Sequence, residues 1–156
     1  MSCGCNHNDN IFLPKEAEIV SAKKMTASET HFALKLKNGE EMNYEPGQIL
    51  EVGLFGYGEI PLGFASSPTQ TEKTGTFDIV IREVGKVSKA LCALGEGDTM
   101  TVRGPLGKGF PVSEFQGSDV LIIAGGIGLC PTRSMIKYII DKRDEFNRFL
   151  LFFTWF

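Results

Sequence analysis

From Glu16 to Pro105 apolar and polar residues alternate in short segments, broken by Gly, Pro, Asn and Asp. A period of two places successive side chains on opposite faces, so this stretch is read as antiparallel strands, each with one buried face. Phe32, Leu34 and Leu36 share one face of a strand whose other face carries His31, Ala33, Lys35 and Lys37, and Asn38-Gly39 then supplies a hairpin turn. The same alternation sets Phe77, Ile79 and Ile81 against Asp78 and Arg82, and Met100 and Val102 against Thr99, Thr101 and Arg103. Ala17 to Lys23, Ile49 to Leu54 and Leu62 to Ser66 bring the total to about six strands, a number and spacing that suit a small closed barrel better than an open sheet. Between the fifth and sixth, Val87 to Leu94 reads as a short helix that packs Val87, Leu91 and Leu94.

After Phe110-Pro111 the pattern changes. Val120 to Ala124 is a continuous apolar run, as expected of a parallel strand covered on both faces. Pro131 falls in the first turn of the next helix, where a missing amide proton costs nothing, and Met135, Ile136, Ile139 and Ile140 form its buried stripe. Phe149 to Phe153 completes a β-α-β unit. The expected organisation is therefore a disordered polar tail over 1–14, a barrel domain over 15–112 and an incomplete α/β domain over 113–156. One such unit has no second face to bury against, and a doubly wound domain needs about a hundred further residues. A C-terminally truncated chain is the expectation, with a sticky sheet edge near Thr154-Trp155-Phe156.

Composition narrows the function classes. With 42% hydrophobic residues, 12 Phe and 18 Gly the 156-residue chain can bury a core and make many turns. Lys and Arg total 16 against 19 Asp and Glu, and neither sign forms a block that would track nucleic acid or an anionic membrane. No segment reads as a signal peptide or a membrane span, so a cytoplasmic chain is expected. Cys3, Cys5, Cys92 and Cys130 read as reduced thiols, and the Cys3-x-Cys5-x-His7 group as incidental to the tail rather than a metal site. Cys92 is read as a small core residue. Cys130 also reads as packing, although its place beside a helix N-terminus would lower its pKa. His31 reads as a surface residue, and no nucleophile–base pair, carboxylate pair or hydrolytic metal set is evident.

The strongest chemical signal is Ala124-Gly125-Gly126-Ile127-Gly128-Leu129-Cys130-Pro131. Glycines directly after a buried strand let backbone amides approach a ligand, and the following helix aims its unpaired amides and positive dipole end at the same spot. The loop reads G-G-x-G-x-x-P and departs from the usual dinucleotide fingerprint, with Pro131 where a third glycine would close against the strand. The plain alternative is a tight strand-to-helix turn without a ligand.

Five ordered segments carry a family resemblance: Tyr44-Glu45-Pro46-Gly47-Gln48, Ile81 to Ser88, Gly95-Glu96-Gly97-Asp98, Arg103 to Phe110, and the Gly125 to Pro131 loop. In these the chain resembles the ferredoxin reductase superfamily. With its Phe12 to Ile19 stretch it is most similar to gamma subunits of cytoplasmic nickel-iron hydrogenases and sulfhydrogenases and to the related subunit of anaerobic sulfite reductases. Dihydroorotate dehydrogenase electron-transfer subunits are close cousins. The resemblance implies a mainly β fold, with a six-stranded antiparallel FAD-binding barrel followed by the first β-α-β unit of an α/β nucleotide-binding domain. It implies a flavin-dependent electron-transfer subunit that passes electrons between NAD(P)H and a partner redox subunit. The iron-sulfur cluster of full-length relatives lies beyond the end of this chain.

The resemblance also implies roles for residues. Arg82, Gly85, Val87 and Ser88 would hold the FAD diphosphate through a guanidinium, backbone amides and a hydroxyl, and Gly125, Gly126, Ile127, Gly128 and Pro131 would shape the NAD(P) site. Many members carry R-x-Y-S at the flavin, whereas this chain reads Ile60-Pro61-Leu62-Gly63 there. Ser66 and backbone groups are left to serve the isoalloxazine, with Phe64 or Tyr57 as an aromatic surface. The alternative is a barrel module without bound flavin that acts only by protein–protein interaction, which the altered Ile60 to Gly63 segment favours.

Overall fold

The computed structural model describes residues 12–154. The expected tail lies almost wholly outside them, as do Cys3, Cys5, His7, Trp155 and Phe156. Six strands, β1 (Lys15–Lys24), β2 (Glu29–Leu36), β3 (Ile49–Leu54), β4 (Gly58–Gly63), β5 (Phe77–Arg82) and β6 (Thr99–Leu106), form one sheet in the order β4-β3-β6-β1-β2-β5. Every neighbouring pair is antiparallel. The sheet rolls into a nearly closed barrel, as the alternation implies. The seam between the two edge strands is stitched just past β4, where the Ala65 N–H donates to the Asp78 carbonyl at 2.8 Å and the Asp78 N–H donates to Ser66 Oγ at 2.8 Å. The inward face of each strand fills the barrel with Ile19, Phe32, Leu34, Leu50, Val52, Phe77, Ile79, Ile81 and Met100, all fully buried.

The turn at Asn38-Gly39 is present, with Gly39 at φ 79°, but it joins no hairpin. Strand β2 pairs with β1 and β5, and β3 pairs with β4 and β6, so the chain after Gly39 crosses to a different part of the barrel. A turn dipeptide specifies local backbone angles and not the partner of the strand it follows. The expected Leu62–Ser66 strand is shifted, because pairing ends at Gly63 and the chain leaves the ladder to reach β5.

Beyond the seam lies helix α1 (Pro68–Thr74), which apolar periodicity does not reveal because its residues are polar. Its signals are local. Ser67 caps the N-terminus by accepting from the Thr69 amide, Pro68 stands in the first turn, and Gly75 closes the C-terminus in the left-handed region at φ 67°. Helix α2 (Lys86–Cys92) sits where a helix is expected, with Leu91 buried in the barrel core and Val87 and Leu94 packed partly against it.

A short helix α3 (Val112–Phe115) leads to β7 (Val120–Gly125), helix α4 (Leu129–Asp141) and β8 (Phe149–Thr154), with β7 and β8 parallel. Val120, Met135, Ile139 and Phe146 form a second core that shares no residue with the first. Two expectations fail here. Ile140 is half exposed, since the stripe of Met135, Ile136, Ile139 and Ile140 is wider than the arc that α4 turns toward β7. Strand β7 is covered on one face only: Leu121 and Ile123 are exposed, as are Leu150 and Phe152 beside them on β8. Among the described residues no helix is long and apolar enough to cross a membrane.

Phe64 shows how the first core depends on its aromatic residues. It is fully buried, with its ring stacked on Tyr44 at a centroid distance of 3.8 Å and edge-on to Phe77 at 5.7 Å. Phe64→Ala is expected to lower stability by about 3–5 kcal/mol, read as a shift in the urea unfolding midpoint with the slope unchanged.

Candidate functional site

Strands β4 and β5, the start of α2 and the loop before α4 enclose a groove of about 520 Å³. Ile60, Pro61 and Leu62 form one wall, and Arg82, Val84, Gly85, Lys86, Val87 and Ser88 the other. Ile127 reaches in from the glycine loop. Two segments that lie about forty residues apart in the chain thus converge on one space by folding.

The diphosphate side is built by the turn into α2. The first intrahelical bond runs from the Lys89 N–H to the Gly85 carbonyl, so the amides of Lys86, Val87 and Ser88 precede the helical ladder. An added Cβ on Gly85 would meet nothing within 4 Å, which leaves the backbone open to a ligand. Arg82 lies at the end of β5, its guanidinium bonded to Glu29 on β2. That bond holds the Glu29 carboxyl below its ordinary range. Lys86 adds a second cation and lies 5.6 Å from the centroid of the half-exposed Tyr57 ring. The composition did not single out Lys86; its signal was only its place in the first turn.

Ser88 serves differently from expectation. It is 3% exposed, and its Oγ accepts the Val84 and Gly85 amides, each at 3.0 Å, and donates to the Gly85 carbonyl. The hydroxyl shapes the turn from within. Ser66 is likewise fully buried, with its Oγ 2.8 Å from Tyr44 Oη and from the Asp78 amide, and it does not line the groove. Burial pushes the Tyr44 hydroxyl above its ordinary pKa. Phe64 belongs to the core, so Tyr57 is the remaining candidate for an exposed aromatic surface.

On the nucleotide side, Gly125 ends β7, Gly126 to Gly128 make one turn of 3-10 helix, and Pro131 is the third residue of α4. Gly126 needs its left-handed φ of 53°, and an added Cβ there or on Gly128 would point into open space. The open backbone beside a thirteen-residue helix N-terminus suits an anion. Burial pushes the Cys130 thiol above its ordinary pKa, and Cys92 is raised for the same reason.

Gly63 explains one departure from the R-x-Y-S pattern. A Cβ at this position would collide with Pro131 Cβ and lie 3.2 Å from Pro131 Cα, so the barrel and α4 touch through a residue without a side chain. A second contact is polar. Asp78, 4% exposed, receives Gln70 Nε2 at 3.0 Å, His31 Nε2 at 3.2 Å and Arg133 Nη1 at 3.3 Å. Burial opposes its charge, but the hydrogen bond and charge of His31, together with Gln70 and Arg133, outweigh burial and hold the carboxyl below its ordinary range. His31 is therefore a partner of a buried acid and not a free surface residue.

Residues 16–110 match the oxidoreductase FAD-binding domain family, and the chain belongs to that family. Over 147 residues it is 35% identical to the sulfhydrogenase 2 subunit gamma of Pyrococcus furiosus, an alignment covering 92% of this chain and 49% of that protein. It is 32% identical over 130 residues to a probable dihydroorotate dehydrogenase B (NAD(+)) electron transfer subunit of Methanopyrus kandleri, covering 83% of this chain and 46% of the relative. Among solved structures, a phthalate dioxygenase reductase shares the fold, with a TM-score of 0.76 and 21% identity over 91% of this chain and 44% of that one. The chain spans about half the length of the curated relatives it matches.

Gly63→Ser, which installs the hydroxyl of the R-x-Y-S pattern, is expected to destabilise this chain by about 1–3 kcal/mol through overpacking against Pro131, measured by urea unfolding. For Asp78 the depressed carboxyl pKa gives a pH signature. Its contribution is present above about pH 4 and lost as pH falls through the lower folded value. As pH falls below about 4 the unfolding midpoint should therefore drop more steeply in the wild type than in Asp78→Asn.

Proposed function

We propose that this chain is the flavin-binding part of an electron-transfer subunit that passes electrons between NAD(P)H and a cytoplasmic redox partner through FAD. The observation that carries the proposal is the groove in which Arg82 and the Gly85–Ser88 turn face Ile127 of the glycine loop. Its donor set fits the group. Arg82, Lys86 and the first-turn amides of α2 present positive charge and N–H donors to a diphosphate, while Ile60, Pro61, Leu62 and Val87 offer an apolar wall to a flat ring. The chemistry that FAD would supply when bound is acceptance of one hydride, with its two electrons, and release of those electrons one at a time, which needs no nucleophile from the protein. The chain's own residues bind and orient: Arg82 and the α2 turn anchor the diphosphate end, and the Gly125–Gly128 backbone receives the phosphates of NAD(P) next to the flavin.

The names of the relatives support the partner half of this reading, since both are subunits of larger enzymes and one is an NAD(+)-linked electron-transfer subunit. The competing reading, an interaction module without flavin, draws support from the inward-turned Ser66 and the absence of Arg, Tyr and Ser at Ile60, Leu62 and Gly63.

The two readings separate in one titration. FAD added to the purified chain, followed by desalting and a visible spectrum, should leave a near-stoichiometric flavin band; a flavin-free protein would rule out the cofactor role. Arg82→Ala is expected to weaken FAD binding about tenfold, the worth of one charge-assisted contact, as measured by quenching of flavin fluorescence.

A further inference from the structure

The glycine loop reaches the groove only because helix α4 is docked on the barrel, and the way it is docked is unusual for two packed elements. The barrel core and the core beneath α4 share no residue, so no common apolar cluster holds them together. Directional and close contacts instead run along one helix. Pro131 abuts Gly63, Arg133 donates to the Ala65 carbonyl and reaches the Asp78 carboxylate, and Thr69 donates to Asp141 near the far end.

Of these, only Asp78 is fixed from every side. Its own amide and carbonyl are sewn into the barrel seam through Ser66 and Ala65, and its Oδ1 takes the Gln70 amide of α1. His31 of β2 and Arg133 of α4 share its Oδ2. Asp78 is 4% exposed, whereas the Arg133 side chain is 41% exposed and is held on the barrel by the Asp78 carboxylate and the Ala65 carbonyl. Arg133 lies two residues past Pro131 and five past Gly128, so whatever fixes Arg133 fixes the loop.

We propose that Asp78 and Arg133 form the tie that sets the glycine loop at the mouth of the groove, with Asp78 a positioning residue held in the barrel seam. The bond costs the burial of a charge, yet it gives a direction that apolar packing lacks. Its functional consequence rests on the nucleotide reading of the loop; its structural half does not.

Amide hydrogen exchange of the full chain tests it, with wild type, Asp78→Asn, Arg133→Gln and the double variant compared. Exchange across residues 125–141 should speed up about tenfold in each single variant, the loss of one hydrogen bond to a charged group, while β1, β2 and β6 keep wild-type rates. The double variant should be no faster than Arg133→Gln, because the Asp78 carboxylate has no guanidinium left to hold once Arg133 is replaced. Wild-type exchange in 125–141 for either single variant, equal acceleration of the barrel strands, or a double effect equal to the product of the singles would each overturn the tie. If Asp78→Asn does not fold, Asp78→Glu, which keeps the charge and moves the carboxylate, takes its place in the cycle with the same expected acceleration. A parallel arm with NAD+ follows protection of the Gly125–Pro131 amides. Protection in wild type that weakens about tenfold in Arg133→Gln, with FAD binding unchanged and Arg133→Lys partly restored, supports the functional half. Absence of protection in wild type removes the nucleotide reading and leaves the exchange rates to decide the tie.

Discussion

Closure of the barrel at the seam past β4 is the constraint on which the remaining structure depends. An open antiparallel sheet of six strands leaves two edges of unpaired amides and carbonyls, and here the chain closes the gap by sending Ala65 and Ser66 across to Asp78. Everything placed near the groove follows from this crossing. It ends β4 at Gly63, seats Phe64 in the core against Tyr44, and leaves Ser67 to cap a helix immediately outside. Because Ala65 and Ser66 meet β5 at Asp78, the seam also presents the carbonyl and carboxylate that Arg133 uses.

This economy of position has a consequence for the site. Hydroxyls that stand near the groove in sequence are spent on shape: Ser66 closes the seam and Ser88 closes the turn before α2. What faces the groove is backbone and cation, namely the first-turn amides of α2, Arg82 and Lys86, with aliphatic side chains opposite. A diphosphate-bearing cofactor is met by such a surface without side-chain hydroxyls, since main-chain amides at a helix start are already oriented donors. The missing R-x-Y-S residues are therefore less decisive than they look in sequence, and Gly63 has a reason of its own in the contact with Pro131.

The second unit illustrates the opposite regime. Strands β7 and β8 with α4 bury a small core of their own, but the face carrying Leu121, Ile123, Leu150 and Phe152 is open. With few apolar contacts to the barrel, its orientation is carried by a small number of directional bonds. Buried ionic groups in this role set geometry more than they add stability, since their desolvation offsets much of their attraction.

Much of this was legible in the chain. Period-two alternation located the barrel strands around Phe32, Phe77 and Met100, the glycine loop marked the strand-to-helix turn at Gly125, and the Arg82–Ser88 segment pointed to the groove, because these are local patterns with local causes. Helix α1 escaped notice because a polar helix has caps but no stripe, and the Asn38-Gly39 turn misled because it fixes angles and not partners. Asp78 and His31 were read as a polar strand face, since nothing in an alternating pattern says that α1 and α4 will cover that face and turn a surface acid into a buried hub. The sequence by itself determined which segments extend, which coil and where a glycine loop leaves its backbone bare before a helix. Only the tertiary structure decided which hydroxyls turn inward, which glycine must stay bare and which carboxylate holds the loop, because each depends on what closes over it from elsewhere in the chain.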